Sequence, residues 1–200
     1  FDSIGPRPIW QAGDLIEIQP QQPIAIIDSW LNKNNLDGEM LLTHQAYQQS
    51  LKVWLADREL PEHCEYSAED LLVNLPYLHK RSYSIASVSA DKQLQLVVRL
   101  LKKEDNSLGL ASGYIGHYCK VGDVIQGQIK SISHHHNMQT TQAIILIGAG
   151  SGLAGLKAQI AARKVAKLQH NQTIGDSWLI FGERNSSPQL PINAQLAYLK

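Results

Sequence analysis

The sequence predicts two lobes: an antiparallel Greek-key β-barrel with a small helical insert, followed by part of an α/β parallel-sheet domain. Three observations predict it. Short alternating segments separated by polar turns recur between residues 81 and 133, the pattern of antiparallel strands. Residues 23–75 instead space their apolar side chains three and four apart, the helical period. Residues 142–184 read as an apolar strand, a glycine-rich turn, a long helix and a second apolar strand, a β-α-β unit with a right-handed crossover. The lobes fall at 1–138 and 139–200, with the insert at about 23–75 and the change of character near 137–142.

Taken in order, Gly13-Asp14 is a turn, and Leu15, Ile16 and Ile18 form a short strand that Pro20 ends. Ile26, Ile27, Trp30 and Leu31 then mark a helix that stops by Gly38. A second helix is expected from Thr43, with Tyr47, Leu51, Trp54 and Leu55 on one face and Pro61 closing it. A third starts at Ser67, which can cap it with Asp70 three residues on, and ends near Pro76. Strands are expected at 81–89, 93–101 and within 120–133, with a loop feeding a short helix between the last two. The helix after the glycine turn carries Leu153, Leu156, Ile160, Val165 and Leu168 as its apolar stripe, and 177–184 is the next buried strand. Trp10, Trp30, Trp54 and Trp178 fall on apolar faces and are expected in the core.

Composition limits the function classes. The 200 residues carry 18 Lys+Arg against 18 Asp+Glu, and a zero net charge argues against a broad nucleic-acid or membrane-surface role. Cys64 and Cys119 make neither a disulfide framework nor a four-ligand zinc site, which points to a reducing compartment. The expectation is cytoplasmic, or the cytoplasmic face of a membrane if the chain is part of a longer one. No apolar run approaches the roughly 20 residues that span a bilayer, and no signal peptide is visible. Cys119 is expected to be a packing residue. His134, His135 and His136 are read as a solvated loop between the lobes, since consecutive loop residues rarely converge on one ion, and no metal site is expected.

Three stretches carry candidate chemistry. In GAGSGLAG, Gly148, Gly150, Gly152 and Gly155 follow a strand and open a helix. Such a turn admits a phosphate to the main chain, beside unpaired amides and the positive end of the helix dipole. Ser151 can add a hydroxyl. The acidic residue that a dinucleotide fingerprint expects about 20 positions on is missing, with His170 there instead. The turn therefore reads either as a nucleotide site or as a tight strand–helix junction. In GLASG, Gly109, Leu110, Ala111, Ser112 and Gly113 can cradle a second diphosphate or form a plain loop. In RSYS, Arg81 can pair with a phosphate, Tyr83 can stack on a flat ring, and Ser82 and Ser84 can hydrogen-bond. Alternation puts Arg81 and Tyr83 on one face and the serines on the other. An edge strand with a solvated arginine is the other reading.

The order RSYSIAS, GLASGYI, ILIGAGSGLAGL, LIFGER resembles the ferredoxin–NADP reductase family, with the diflavin reductases as the nearest branch. That family shows an R-x-Y-S strand, a G-x-[AS]-[ST] loop, a G-x-G-[ST]-G-[IL]-A turn and an F-[FY]-G-x-R strand. The resemblance covers about residues 10–185, and residues 23–75 look like a short form of the helices this branch inserts before the R-x-Y-S strand. It implies two cofactors, FAD and NADP. Arg81 then binds the flavin diphosphate, Tyr83 stacks on the isoalloxazine and Ser84, the catalytic candidate, lies near the flavin N5. Ser82 belongs to the same strand, and Val97, Val98 and Arg99 match positions flanking the flavin. Gly109, Leu110, Ala111 and Ser112 match the loop at the FAD pyrophosphate. Gly150, Ser151, Gly152 and Arg184 match residues at the nicotinamide nucleotide.

The implied activity is hydride transfer from NADPH to FAD. Electrons then pass to an acceptor, which can be a flavodoxin-like domain, a haemoprotein or a small molecule. Three departures stand out. Gly155 replaces the usual proline, Glu183 replaces a frequent cysteine, and NSSPQLPINAQLAYLK matches nothing in the family's continuation. The resemblance thus implies a reductase module short at both ends. Two alternatives stay open: a single-cofactor NAD(P) dehydrogenase using only 142–184, and a non-enzymatic flavin-binding or docking module.

Overall fold

The structure, a computed structural model, describes residues 1–44, 46–132 and 140–182. In chain order its elements are β1 (Leu15–Ile18), α1 (Ile24–Lys33), β2 (Leu41–His44), β3 (Tyr47–Ser50), the single turn α2 (Leu51–Trp54), α3 (Ala68–Asn74), β4 (Arg81–Ser84), α4 (Leu110–Gly113), β5 (Gly127–Lys130), β6 (Ile144–Ala149), α5 (Leu153–Gln169) and β7 (Ser177–Gly182). The boundary expected at 138/139 and the residues His134, His135, His136, Glu183 and Arg184 lie outside the described residues.

Gly13 turns the chain with φ +100°, a conformation that favours glycine. Asp14 behind it is buried and accepts from the amides of Gln11 (2.8 Å) and Ile132 (3.1 Å). One carboxylate thus ties the turn before β1 to the segment after β5. β1 is the centre of an antiparallel sheet ordered β4-β1-β5, with Ile16 opposite both Tyr83 and Ile129.

This sheet stays open: among the described residues no barrel closes. The strand expected at 93–101 meets the sheet's edge through one bridge, Ile85 to Leu96, and meets 108 through another, Lys102 to Leu108. Ile85, Leu94 and Trp10 pack together there, so apolar burial holds the segment where a hydrogen-bonded ladder does not.

The helical block forms around Ile27, Trp30, Leu31, Leu51, Leu55, Leu71 and Leu72, all at most 7% exposed. Ser67 caps α3 as expected, accepting from the Asp70 amide at 3.2 Å. Arg58 is buried, donates to the Leu75 carbonyl at 2.8 Å and lies 3.5 Å from the centre of the Tyr77 ring, which pins the exit from α3.

The second helix is corrected. Residues 41–50 form the hairpin β2–β3, with Leu41 opposite Ser50 and His44 opposite Tyr47, and only α2 follows. Tyr47 is 68% exposed, so the helical stripe drawn through it was never a core face. Ala46 at φ +68° turns the hairpin, and the Trp54 indole donates to the Leu42 carbonyl at 3.1 Å, tying α2 to it.

β6 and β7 pair in parallel, with Ile145 opposite Trp178 and Ile147 opposite Ile180, as the β-α-β reading required. Two details differ. α5 buries Leu153, Ala154, Ala158, Arg163 and Ala166, while Leu168 is exposed; Leu156 of the expected stripe lies against β6 at Gly148, and Ala158 turns to Ala12 and Val88. Trp178 is 70% exposed and shares with Ile145, Ile147 and Ile180 a sheet face that is bare among the described residues, where α5 covers the opposite face. The core assignment of Trp178 and the fully buried strand are therefore corrected. Trp10 and Trp30 are buried as expected.

α5 meets the antiparallel region through Ala158, which packs with Ala12 and Val88, and through a 2.6 Å hydrogen bond from the Lys157 ammonium to Gln95. Among the described residues no helix is long and apolar enough to cross a membrane.

Candidate functional site

β4 presents Arg81, Ser82 and Ser84 exposed and Tyr83 half-buried. The Arg81 guanidinium rests on its own backbone, donating from Nη1 to the carbonyls of Lys80 (3.1 Å) and His79 (3.4 Å). Burial raises the Tyr83 hydroxyl above its ordinary pKa, opposed by the charge of Arg81, so the phenol stays neutral at neutral pH. Beside this strand a cleft of about 580 Å³ opens between His79, Lys80, Glu17, Gln19, Gln126 and Gln128. No motif in the sequence marked it.

Gly109 begins α4 with its backbone against Leu101. A Cβ there would lie 3.0 Å from both the Leu101 Cβ and the Ser112 Oγ, so a side chain would have to push one of them aside by a few tenths of an ångström. The Ser112 hydroxyl is already engaged: it accepts from the Leu101 amide (3.1 Å) and donates to the Gly109 carbonyl (3.3 Å). The first-turn amides of Leu110, Ala111 and Ser112 remain as donors that the helix itself cannot satisfy.

The glycine turn divides its glycines by role. Gly148 lets α5 approach β6, since a Cβ would stand 2.7 Å from Leu156 Cδ1. Gly150 turns the chain at φ +55°, and a Cβ there would lie 2.8 Å from the Arg99 Nη2. Gly152 and Gly155 face open space, with nothing within 4 Å of a Cβ. α5 starts with no side-chain cap and no acidic residue in its first turn, so its amides and its positive dipole end are available to an anion. Ser151 is exposed beside them.

The arrangement joins what the sequence read as separate sites. Arg99 lies against the Gly150 turn. Two residues on, Leu101 bonds the Gly109–Ser112 loop through both its amide and its carbonyl, the latter accepting from Gly109 at 2.8 Å. Three to four residues before Arg99, Leu96 and Gln95 meet the chain just after β4, the Gln95 carbonyl accepting from Ala86 at 2.7 Å. Residues 95–101 thus touch all three motifs, with Val97 and Val98 half-buried between them. The sequence had Arg99 flanking a flavin; its place against the glycine turn was missed, because the residues are 51 apart and no local pattern links them. Arg184 lies outside the described residues, so its relation to the turn does not enter.

Comparison with known proteins finds distant relatives, among them two of the same name. The chain is 27% identical over 125 residues to the sulfite reductase [NADPH] flavoprotein alpha-component of Buchnera aphidicola subsp. Schizaphis graminum, covering 60% of this chain and 20% of that protein. It is 29% identical over 147 residues to the protein of the same name from Sodalis glossinidius, covering 69% of this chain and 23% of that protein. The chain therefore spans about a fifth of the length of the curated relatives it matches. No family model matches it.

Proposed function

We propose that this chain is the cofactor-binding part of a flavoprotein oxidoreductase that accepts hydride from NADPH into FAD and passes electrons to an acceptor. The observation that carries the reading is the joint at 95–101, which contacts the glycine turn, the Gly109–Ser112 loop and, at Ile85 and Ala86, the chain directly after the RSYS strand. The similarity to two sulfite reductase flavoproteins supports it. Antiparallel sheet and helices precede a parallel unit, an order compatible with the reductase module.

The residues fit the two cofactors. Open space at Gly152 and Gly155 above an uncapped helix end suits a diphosphate. Arg81 is exposed, and its weak bonds to its own backbone can be exchanged for a charged partner. When bound, the pair supplies two-electron hydride transfer between nicotinamide and flavin. Arg81 neutralises the flavin diphosphate together with the amides of Leu110–Ser112. The neutral Tyr83 offers a ring face, and Ser84 a hydroxyl donor on the same exposed edge. Arg99 sits where it can balance phosphate charge at the glycine turn. The Ser112 hydroxyl bonds the Leu101 amide and the Gly109 carbonyl, so it also holds the loop amides in place for the ligand.

Anaerobic mixing of the FAD-loaded chain with NADPH tests the function, read as bleaching of the flavin's visible absorbance. Bleaching that slows by roughly 5- to 150-fold in Ser84→Ala, with flavin affinity nearly unchanged, is expected for a donor that acts at the transition state. Reduction at the wild-type rate in a saturated Ser84→Ala protein removes Ser84 from the chemistry. A flavin that NADPH cannot reduce in the wild type removes the reductase reading.

A further inference from the structure

α5 carries a buried charge that the proposed function does not use. Arg163 is only 5% exposed. Its Nη2 donates to the carbonyls of Gln142 (2.8 Å) and Gly175 (2.5 Å), which ties the approach to β6 and the α5–β7 connection to the helix. Its Nε is buried with no hydrogen-bond partner, and no carboxylate pairs with the guanidinium among the described residues. Carbonyl dipoles satisfy two donors, but they do not supply a counter-charge, and a buried cation without one is costly.

The same arginine lines a cavity of about 340 Å³ between α5 and the antiparallel region. Its walls are mostly apolar, including Trp10, Val88, Ile144, Ala162 and Val165; Gln11, Ser89, Thr140, Gln159 and His170 also line it, and none of its lining residues is acidic. Arg163 stands ten residues along α5 from Leu153, about 15 Å from the glycine turn by helical rise. The cavity is therefore separate from the proposed nucleotide site. Its volume is at the small end of ligand pockets, which also favour the junctions between structural units.

We propose that this cavity binds a small carboxylate with a flat apolar body, of the benzoate class. The carboxylate supplies the charge that Arg163 lacks, and the ring fills the space between Trp10 and the alanine face of α5. A bare inorganic anion would leave that apolar wall uncovered, and a neutral aromatic would leave the guanidinium uncompensated. Because the walls come from both regions, an occupant would also brace α5 against Trp10–Ala12 and Val88–Ala90.

Isothermal titration of the 200-residue chain with sodium benzoate, benzamide and inorganic phosphate tests this without any mutation. Benzoate is expected to bind at one site with a dissociation constant below about 1 mM. Benzamide, its neutral isostere, and phosphate are each expected to be weaker by about tenfold or more. Ala162→Leu, which fills the cavity from the helix, should lose benzoate by a similar factor while keeping its circular dichroism. No benzoate binding up to about 1 mM, benzamide or phosphate binding as tightly as benzoate, or a folded Ala162→Leu with unchanged affinity each overturns the proposal.

Discussion

In the helical block Ile27, Leu51, Leu55 and Leu71 are at most 1% exposed and pack on one another; in the parallel pair Ile145, Ile147, Trp178 and Ile180 are each more than half exposed. The block closes on itself because α1, the hairpin, α2 and α3 surround one cluster from several sides. Among the described residues the parallel pair has a helix on one face only, and parallel sheets ordinarily have both faces covered. One region carries its own core; the other is held through Ala158 and Lys157 against the rest of the molecule. The candidate site lies outside the block, with RSYS and the Gly109–Ser112 loop in the antiparallel region and the glycine turn on the half-covered unit.

The largest expected effect tests the contrast directly. Leu71→Ala removes a fully buried side chain from the block and should destabilise the chain by about 2–5 kcal/mol in denaturant unfolding. A loss under 1 kcal/mol would mean the block is not a closed core.

Next is Arg81→Ala, which should leave stability unchanged, since the side chain is exposed, and weaken FAD binding by about 1.5–3 kcal/mol. Equal retention of FAD by the variant removes Arg81 from the site.

Gly150→Val should follow. A side chain at φ +55° facing the Arg99 guanidinium costs about 1–2 kcal/mol in backbone strain, and it should abolish measurable NADPH binding while FAD titration stays as in wild type. Normal NADPH affinity in a folded variant would show that the turn is only a strand–helix junction.

A smaller effect lies at high pH. Burial, the largest cause, pushes the Tyr114 hydroxyl up to about 12, with the neighbouring Cys119 and Asp123 adding to it. The unfolded chain loses this proton near its ordinary value of about 10, so the unfolded state gains on the folded one as pH rises from 10 to 12, and stability falls across that window. Tyr114→Phe should flatten that part of the pH–stability curve; an unchanged slope means the phenol titrates as if exposed.

Smallest of all, Ile180→Thr on the bare face should change stability by about 0.5 kcal/mol or less. A loss comparable with Leu71→Ala would mean that face is covered in solution.

Much of this was legible in the sequence. The Ser67 cap, the strand–turn–helix at Gly148–Leu153 and the parallel partner at 177–182 follow from local chemistry and period, which need no knowledge of the rest of the fold. The hairpin at 41–50 was not, because Leu51 and Leu55 do fall at helical spacing and Tyr47 extends the run by chance. The exposure of Trp178 was not legible either: a strand's own sequence reports that it can be buried, while the number of covering elements is a property of the whole chain. The joint at 95–101 was half legible. Val97, Val98 and Arg99 were marked as site residues, but Gln95, Leu96 and Leu101 were not, and that Arg99 meets Gly150 is a long-range contact without a local signature.

The central claim is that the antiparallel region holds FAD with Arg81 and the Gly109–Ser112 loop. A fluorescence titration of the purified chain with FAD and, separately, with FMN tests it most directly. The account expects saturable binding of FAD at one per chain, with FMN weaker by about tenfold or more because it lacks the second phosphate and the adenosine. No saturable FAD binding, or FMN binding as tightly as FAD, contradicts it.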